Sequence, residues 1–326
     1  MRRRAFITLL GGAAAAWPLV ASAQQPAMPV IGFLDSRSSD GMATRLAAFR
    51  QGLKEVGLVE GENVTIIYRW AEGRVDRLPE MASELARQAT VIVTSGGPPA
   101  AFAAKAATTT PIVFLVGEDP TRLGLVTSLA RPSGNLTGIN MLANELEAKR
   151  LQFLHQLVPQ AQRIAVLVNP NSLIYTETTL RDVDAAARTI GLQLQVLKAN
   201  TAREIEEGFA WSERQRPDAL FVGATAFLNI RRVQLVQLAA FHRLPATYGQ
   251  REAAEAGGLM SYGPSILEGY RQWAIYAGRV LKGAKPGELP VAQSTKFELV
   301  INNTTARMFR LTVPPSLLAI ADEVIE

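Results

Sequence analysis

Two histidines, His155 and His242, and no cysteine are all that 326 residues offer for soft-metal or thiolate chemistry. Zero Cys removes disulfides, thiolate nucleophiles, Cys-ligated zinc, iron–sulfur clusters and a lipid-modified N-terminal cysteine together. Both histidines fall within helical periods and read as surface or half-buried helix residues, so no metal site is expected. Covalent catalysis has no home either, since no G-x-S-x-G follows a strand pattern and no G-x-x-x-x-G-K-[ST] occurs. The first strand pattern ends in Asp35, Ser36, Arg37, Ser38 and Ser39, which is not the glycine-rich turn a dinucleotide needs. Neither an enzyme nor a resident cofactor is expected.

What remains is the chemistry of non-covalent capture. In open parallel sheets ligands sit beyond the carboxyl ends of the strands, so the loops after the strand patterns carry the candidates. Ser36 and Arg37 follow the first pattern, Ser95, Gly96 and Gly97 the third, and Glu118 and Asp119 the fourth. Ahead of a helical run, residues 95–97 fit a backbone N–H cradle for a carboxylate, and fit equally an ordinary strand-to-helix turn. Asp119 suits an ammonium group or a helix cap. The second half adds Asn169, Asn171 and Ser172, then Thr225, Phe227 and Asn229, then Tyr248 and Arg251. Arg251 has the fork to hold a carboxylate bidentately, or to pair with Glu252 or Glu255. Phe227, Tyr248 and Tyr262 are candidate walls around a ligand side chain, or core residues.

Positioning these loops takes regular alternation of strand and helix, and the chain has it. Short runs of Val, Ile and Leu at 30–34, 64–68, 91–94 and 112–116 alternate with helical periods such as Leu46, Phe49, Leu53 and Val56. A second series has strands at 164–168, 194–197, 219–222 and 246–248. Its helices are marked by Gly191 after one run and by a Thr201/Glu204 capping box ahead of another. Apolar strands between amphipathic helices imply parallel sheets covered on both faces, so two series imply two α/β domains. The first series ends near Met141, where we expect the first crossing. With 48% hydrophobic and 19% charged residues, the composition is that of a folded chain with real cores.

The net charge is +5, of which Arg2, Arg3 and Arg4 contribute a large part, so a nucleic-acid partner is not expected. Those arginines, an apolar run over 5–20 and the small residues Ala21, Ser22 and Ala23 read as a secretory signal peptide cleaved after Ala23. Arg3 and Arg4 followed by Ala5, Phe6 and Ile7 resemble a twin-arginine signal; an ordinary Sec leader and an uncleaved anchor are the alternatives. Either leader implies a periplasmic chain that does not span the membrane once processed.

Residues 111–140, reading PIVFLVGEDPTRLGLVTSLARPSGNLTGIN, resemble the corresponding stretch of a family of ABC-transporter substrate-binding proteins that includes tryptophan- and tyrosine-binding members. Residues 49–63 (FRQGLKEVGLVEGEN), 169–172 (NPNS), 256–263 (AGGLMSYG) and 277–302 (AGRVLKGAKPGELPVAQSTKFELVIN) look like that family in the same order, nearly the whole mature chain. The resemblance implies a type I periplasmic-binding-protein fold, a Venus-flytrap of two doubly wound parallel-sheet lobes joined by a hinge of three crossings. It implies one lobe from residues 27–142 plus 251–282, and another from 143–250 plus 283–326. The family's hydroxyl-and-alanine turn matches Ser95, Gly96 and Ala100, with a Gly-Gly-Pro departure at 96–98. Its aspartate–proline pair matches Asp119 and Pro120, and its Asn-Pro turn Asn169 and Pro170. The implied function is capture of a small polar or amphipathic ligand, an amino acid or related carboxylate, for an inner-membrane ABC permease with a cytoplasmic ATPase. A sensory subunit for an extracytoplasmic receptor or kinase is the alternative.

Overall fold

The structure, a computed structural model, describes residues 28–326; the expected leader, its twin-arginine motif and its cleavage after Ala23 lie outside the described residues. Two sheets organise the chain. The first contains β1 (Val30–Asp35), β2 (Thr65–Trp70), β3 (Val91–Ser95), β4 (Ile112–Val116) and β5 (Leu136–Asn140). The second contains β6 (Arg163–Val168), β7 (Gln193–Lys198), β8 (Ala219–Val222), β9 (Ala246–Tyr248) and β10 (Met260–Pro264). The chain then returns to add β11 (Ala292–Gln293) to the first sheet, before β12 (Phe297–Asn302) and β13 (Glu323–Ile325) complete the second.

Strand order is β2-β1-β3-β4-β5-β11 in the first sheet, with every pairing parallel. In the second it is β7-β6-β8-β9-β10-β12-β13. Here β12 runs antiparallel to β10, so this sheet is mixed rather than purely parallel. The order reverses beside β1 and β3 in one sheet and beside β6 and β8 in the other, which opens a crevice at the carboxyl ends in each.

Helices cover both faces of each sheet because the strands are apolar on both. Along β4, Val113 and Leu115 enter one buried cluster with Phe33, Phe49 and Trp273, while Ile112, Phe114 and Val116 enter another with Leu78 and Leu85. That period of two is the pleat of the strand expressed as two cores. The second lobe repeats the plan around Val166 with Phe221 on one face and Leu167 with Leu220 on the other. No helix among the described residues is long and apolar enough to cross a membrane.

The crossings differ from the expected boundaries. The helix Arg251–Glu255 and β10, expected with the first lobe, belong with the second sheet, where Met260 and Ser261 pair with Thr247 and Tyr248. The first lobe regains the chain at the helix Ile266–Leu281 and keeps it through β11, which pairs with Ile139 and Asn140; residues 283–293 were expected in the other lobe. The physical reason is edge completion: β5 is the edge of the first sheet, and the short β11 covers it. The chain leaves β5 through Leu142, which has φ 54°, into the helix Glu147–Leu157.

The helix Ile266–Leu281 lies directly against the helix Ala43–Glu55, and Gly52 is the contact that allows it. A Cβ there would run into the Arg271 carbonyl oxygen and come within 2.9 Å of the Ala274 methyl. Gly52→Ala is therefore expected to destabilise the first lobe by about 1–3 kcal/mol, since overpacking must separate two helices. Denaturant titration that shows no loss would mean the helices slide freely.

Candidate functional site

The facing carboxyl ends enclose a cavity of about 90 Å³ lined from both lobes. The first lobe contributes Arg37, Gly96, Gly97, Glu118 and Tyr270, and the second contributes Tyr175, Thr225, Asn229 and Gln250. Leu115, Val116, Met141 and Ile266 make the inner wall apolar. Through Gly96, Gly97, Glu118 and Ala226 this inner chamber adjoins an outer one lined by Ser36, Asn169, Asn171, Ser172, Asn200, Phe227 and Arg231.

Arg37 is the most firmly held of these side chains. Its Nε donates to Asp35 Oδ1 at 2.9 Å and its Nη2 to Asp35 Oδ2 at 2.6 Å. Nη2 also reaches Ser95 Oγ at 3.1 Å and Tyr270 Oη at 2.5 Å. Burial works against the Asp35 carboxylate, but the Arg37 charge and the hydrogen bonds from Arg37 and Ser95 more than offset it, so Asp35 titrates below the usual carboxylate range. A bidentate guanidinium fixed on a buried carboxylate is a preorganised wall group. Gly96, at φ 82°, makes this packing possible, because a Cβ there would strike the Ser36 hydroxyl and the Asp35 carboxylate.

The second lobe has a matching device. Glu147 pairs with Arg150 Nη2 at 2.5 Å and accepts from the Tyr175 hydroxyl at 2.5 Å, all three groups being buried. Tyr175 in turn accepts from the Ala224 N–H at 2.7 Å, and Arg150 donates to the Val222 carbonyl at 2.9 Å. Burial pushes the Glu147 carboxyl up, with the Arg150 charge and the Tyr175 hydrogen bond opposing it. Tyr175 and the β8 loop are thereby locked as the floor of the cavity.

Across the cleft the lobes touch through polar groups. Arg45, at the start of the helix Ala43–Glu55, donates from Nη2 to Glu252 Oε1 at 2.6 Å and to Gln250 Oε1 at 3.1 Å. Arg122 Nη1 donates to Thr178 Oγ1 at 3.1 Å.

Of the candidates read from sequence, Arg37, Gly96, Gly97 and Thr225 line the inner chamber, and Ser36, Asn169, Ser172 and Phe227 the outer one. Ser95 stands behind Arg37, hydrogen-bonded to Asp35 and Tyr270, and does not itself reach the cavity. The N–H cradle expected at 95–97 is weakened because the helix Pro98–Ala107 begins with two prolines, which remove two of its first amide donors.

Asp119 closes a turn rather than capping a helix, since none follows it: Oδ1 accepts from Thr121 N at 2.8 Å and Thr121 Oγ1 at 2.6 Å, and it lies outside both chambers. Glu118, its neighbour, faces both. Tyr248 is core, Tyr262 packs edge-on to Phe153 at 5.0 Å, and neither lines either chamber. Arg251 serves Glu255 at 2.7 Å, Glu298 at 3.5 Å and Glu323, tying β12 and β13 to its helix rather than facing a ligand. Arg251→Ala is accordingly expected to leave ligand affinity within about twofold while costing about 1 kcal/mol of stability; a tenfold loss of affinity in calorimetric titration would restore it to the site.

Asn229, a loop candidate from sequence, lines the inner chamber, whereas Tyr175, Gln250 and Tyr270 were not anticipated. Tyr175 and Tyr270 sit in helices, where no loop signal marks them, and Gln250 directly follows the Tyr248–Gly249 signal.

A family model described as ABC transporter substrate binding protein matches residues 28–325. A tyrosine-binding protein of Clostridioides difficile is 24% identical over 261 residues, covering 79% of this chain and 74% of that one. Among solved structures, an ABC domain from Streptococcus pneumoniae in complex with L-Trp is similar with a TM-score of 0.82 and 24% identity, over 91% of this chain and 99% of that one. An open, ligand-free substrate-binding protein with adhesive properties from Clostridium difficile is similar with a TM-score of 0.68 and 21% identity, again over 91% and 99%.

Proposed function

The chain belongs to the family of ABC transporter substrate-binding proteins, and on that premise we propose that it captures a small amphipathic ligand, an amino acid or related carboxylate, between its lobes. In this reading it works in the periplasm and hands the ligand to an inner-membrane permease driven by a cytoplasmic ATPase, with no bond made or broken. The observation that carries it is one cavity walled by both lobes, apolar inside and fitted with a few fixed polar groups. A ligand that touches Arg37 on one lobe and Tyr175, Thr225 or Asn229 on the other favours the closed form by its differential affinity. The tyrosine-binding relative and the L-Trp complex make amino acids with large apolar side chains the first compounds to try.

A thermal-shift screen of amino acids, aromatic acids and small carboxylates tests this. A ligand at about a hundred times its dissociation constant stabilises the folded state by about 2.7 kcal/mol, which is a shift of several degrees. A screen in which no amino acid or carboxylate moves the midpoint overturns the reading, and turnover of any compound overturns the non-enzymatic part of it.

A further inference from the structure

We propose that Glu118 and Arg231 are the charge-reading pair of the cleft, taking the ammonium and the carboxylate of one zwitterionic ligand whose apolar part fills the inner chamber. The proposal rests on the amino-acid reading above and adds which residues of this chain enforce it and which way round the ligand lies.

Three arginines beside the cleft already have partners. Arg37 is neutralised by Asp35, Arg45 by Glu252 and Arg150 by Glu147. Arg231 has no ion-pair partner among the described residues, and burial alone acts on it, pulling its pKa down. Its Nη1 donates to the Phe227 carbonyl at 3.2 Å, and its guanidinium lies 4.0 Å from the centroid of the Phe227 ring. That stacking fixes the plane of the fork while leaving Nε and Nη2 without protein acceptors.

Glu118 is the complementary case. It is 9% exposed, yet its carboxylate meets only the backbone N–H groups of Gly117 and Glu118 itself, and burial pushes its pKa up. A buried carboxylate without a cation is costly and is relieved by an opposite charge, and the half-buried Arg231 fork is left free to take an anion. Both line the outer chamber, one from each lobe, and Glu118 also borders the inner one.

The inner chamber has no uncompensated cation to hold a carboxylate, and Leu115, Val116, Met141 and Ile266 wall it. An α-amino acid therefore fits with its charged end between Glu118 and Arg231 and its side chain in the apolar chamber walled by Leu115, Val116, Met141 and Ile266. Because the two residues sit on different lobes, such a ligand satisfies both only when the cleft is shut, which couples charge recognition to closure.

The test is calorimetric titration of the protein and of Glu118→Gln and Arg231→Gln. The titrants are the tightest binder among L-leucine, L-phenylalanine, L-tyrosine and L-tryptophan, its decarboxylated amine and its deaminated acid. Each substitution is expected to weaken the amino acid by about tenfold or more. Arg231→Gln should leave the amine, and Glu118→Gln the acid, within about twofold, a cross-pattern that a merely structural role would not produce. Equal losses on all three compounds, or no loss on the amino acid, overturn the pair. A wild type that takes the acid as tightly as the amino acid removes Glu118 while leaving the carboxylate-receptor reading intact. A wild type that binds none of the three compounds overturns the amino-acid reading itself.

Discussion

Glu147→Ala is expected to lower the stability of the protein by about 3–5 kcal/mol, the largest loss of any single change described above, because it leaves Arg150 charged and buried with no counterion. Arg150 is 1% exposed, its Nε already lacks a hydrogen-bond partner, and its one remaining strong acceptor would be the Val222 carbonyl. The Tyr175 hydroxyl would lose its carboxylate acceptor at the same time. Urea denaturation of the variant measures the loss, and a value under about 1 kcal/mol would mean water or another carboxylate reaches Arg150. The double variant Glu147→Leu with Arg150→Met should recover most of it, since replacing a buried ion pair with packed apolar groups is often neutral or better. If the double variant is as unstable as the single one, the pair contributes shape that leucine and methionine cannot reproduce.

The second large effect is on closure rather than folding. Arg45 is 8% exposed and bridges the first lobe to Gln250 and Glu252 of the second, so Arg45→Ala removes contacts that exist only when the cleft is shut. It also strands the Glu252 carboxylate, whose Oε2 is buried without a partner. An interlobe charge pair of this kind is worth roughly 1.5–3 kcal/mol of closed-state preference, which is about a ten- to hundredfold loss of ligand affinity. Small-angle scattering should show the variant more open without ligand. An unchanged profile together with unchanged affinity would show that Arg45 is only a surface pair.

The same contact has a pH signature. Burial raises the Glu252 pKa, but the Arg45 charge and hydrogen bond outweigh it, so in the closed form Glu252 titrates below its ordinary value of 4.5. A depressed carboxylate contributes its stabilisation above that ordinary value and loses it as pH falls through the lowered one. Ligand affinity should therefore be flat in this respect near neutrality and fall on acidification below about pH 4.5, less steeply in Glu252→Gln than in the wild type. A variant with the same acid slope would assign the slope to another carboxylate.

Much of the site was legible because it follows a topological rule. Ser36, Arg37, Gly96, Asn169, Ser172 and Thr225 come directly after strands that flank the two switch points, and chain order alone puts such residues at the crevice. The Thr201 cap was equally local: its hydroxyl accepts from Glu204 N at 3.1 Å, while Glu204 reaches back to Asn200 N at 2.7 Å. The assignments that failed depended on partners far along the chain. Arg251 meets Glu298 and Glu323 only after β12 and β13 have joined the second sheet. Glu118 and Asp119 are neighbours of similar chemistry, and one backbone turn decides which lines the cavity and which closes a turn with Thr121.

Periodicity and strand-end position, both properties of short stretches of chain, were enough to establish two α/β lobes, their facing loops and the absence of any familiar catalytic motif. The folded molecule alone settled which charges are spent and which are left over. Arg37 has Asp35 as a near neighbour in sequence, but Arg45 finds Glu252 only after the lobes close and Tyr270 reaches Arg37 only after the chain has crossed back. Pairing of charges is a matter of distance through space in a medium of low polarity, and for residues some two hundred positions apart no local pattern encodes that distance.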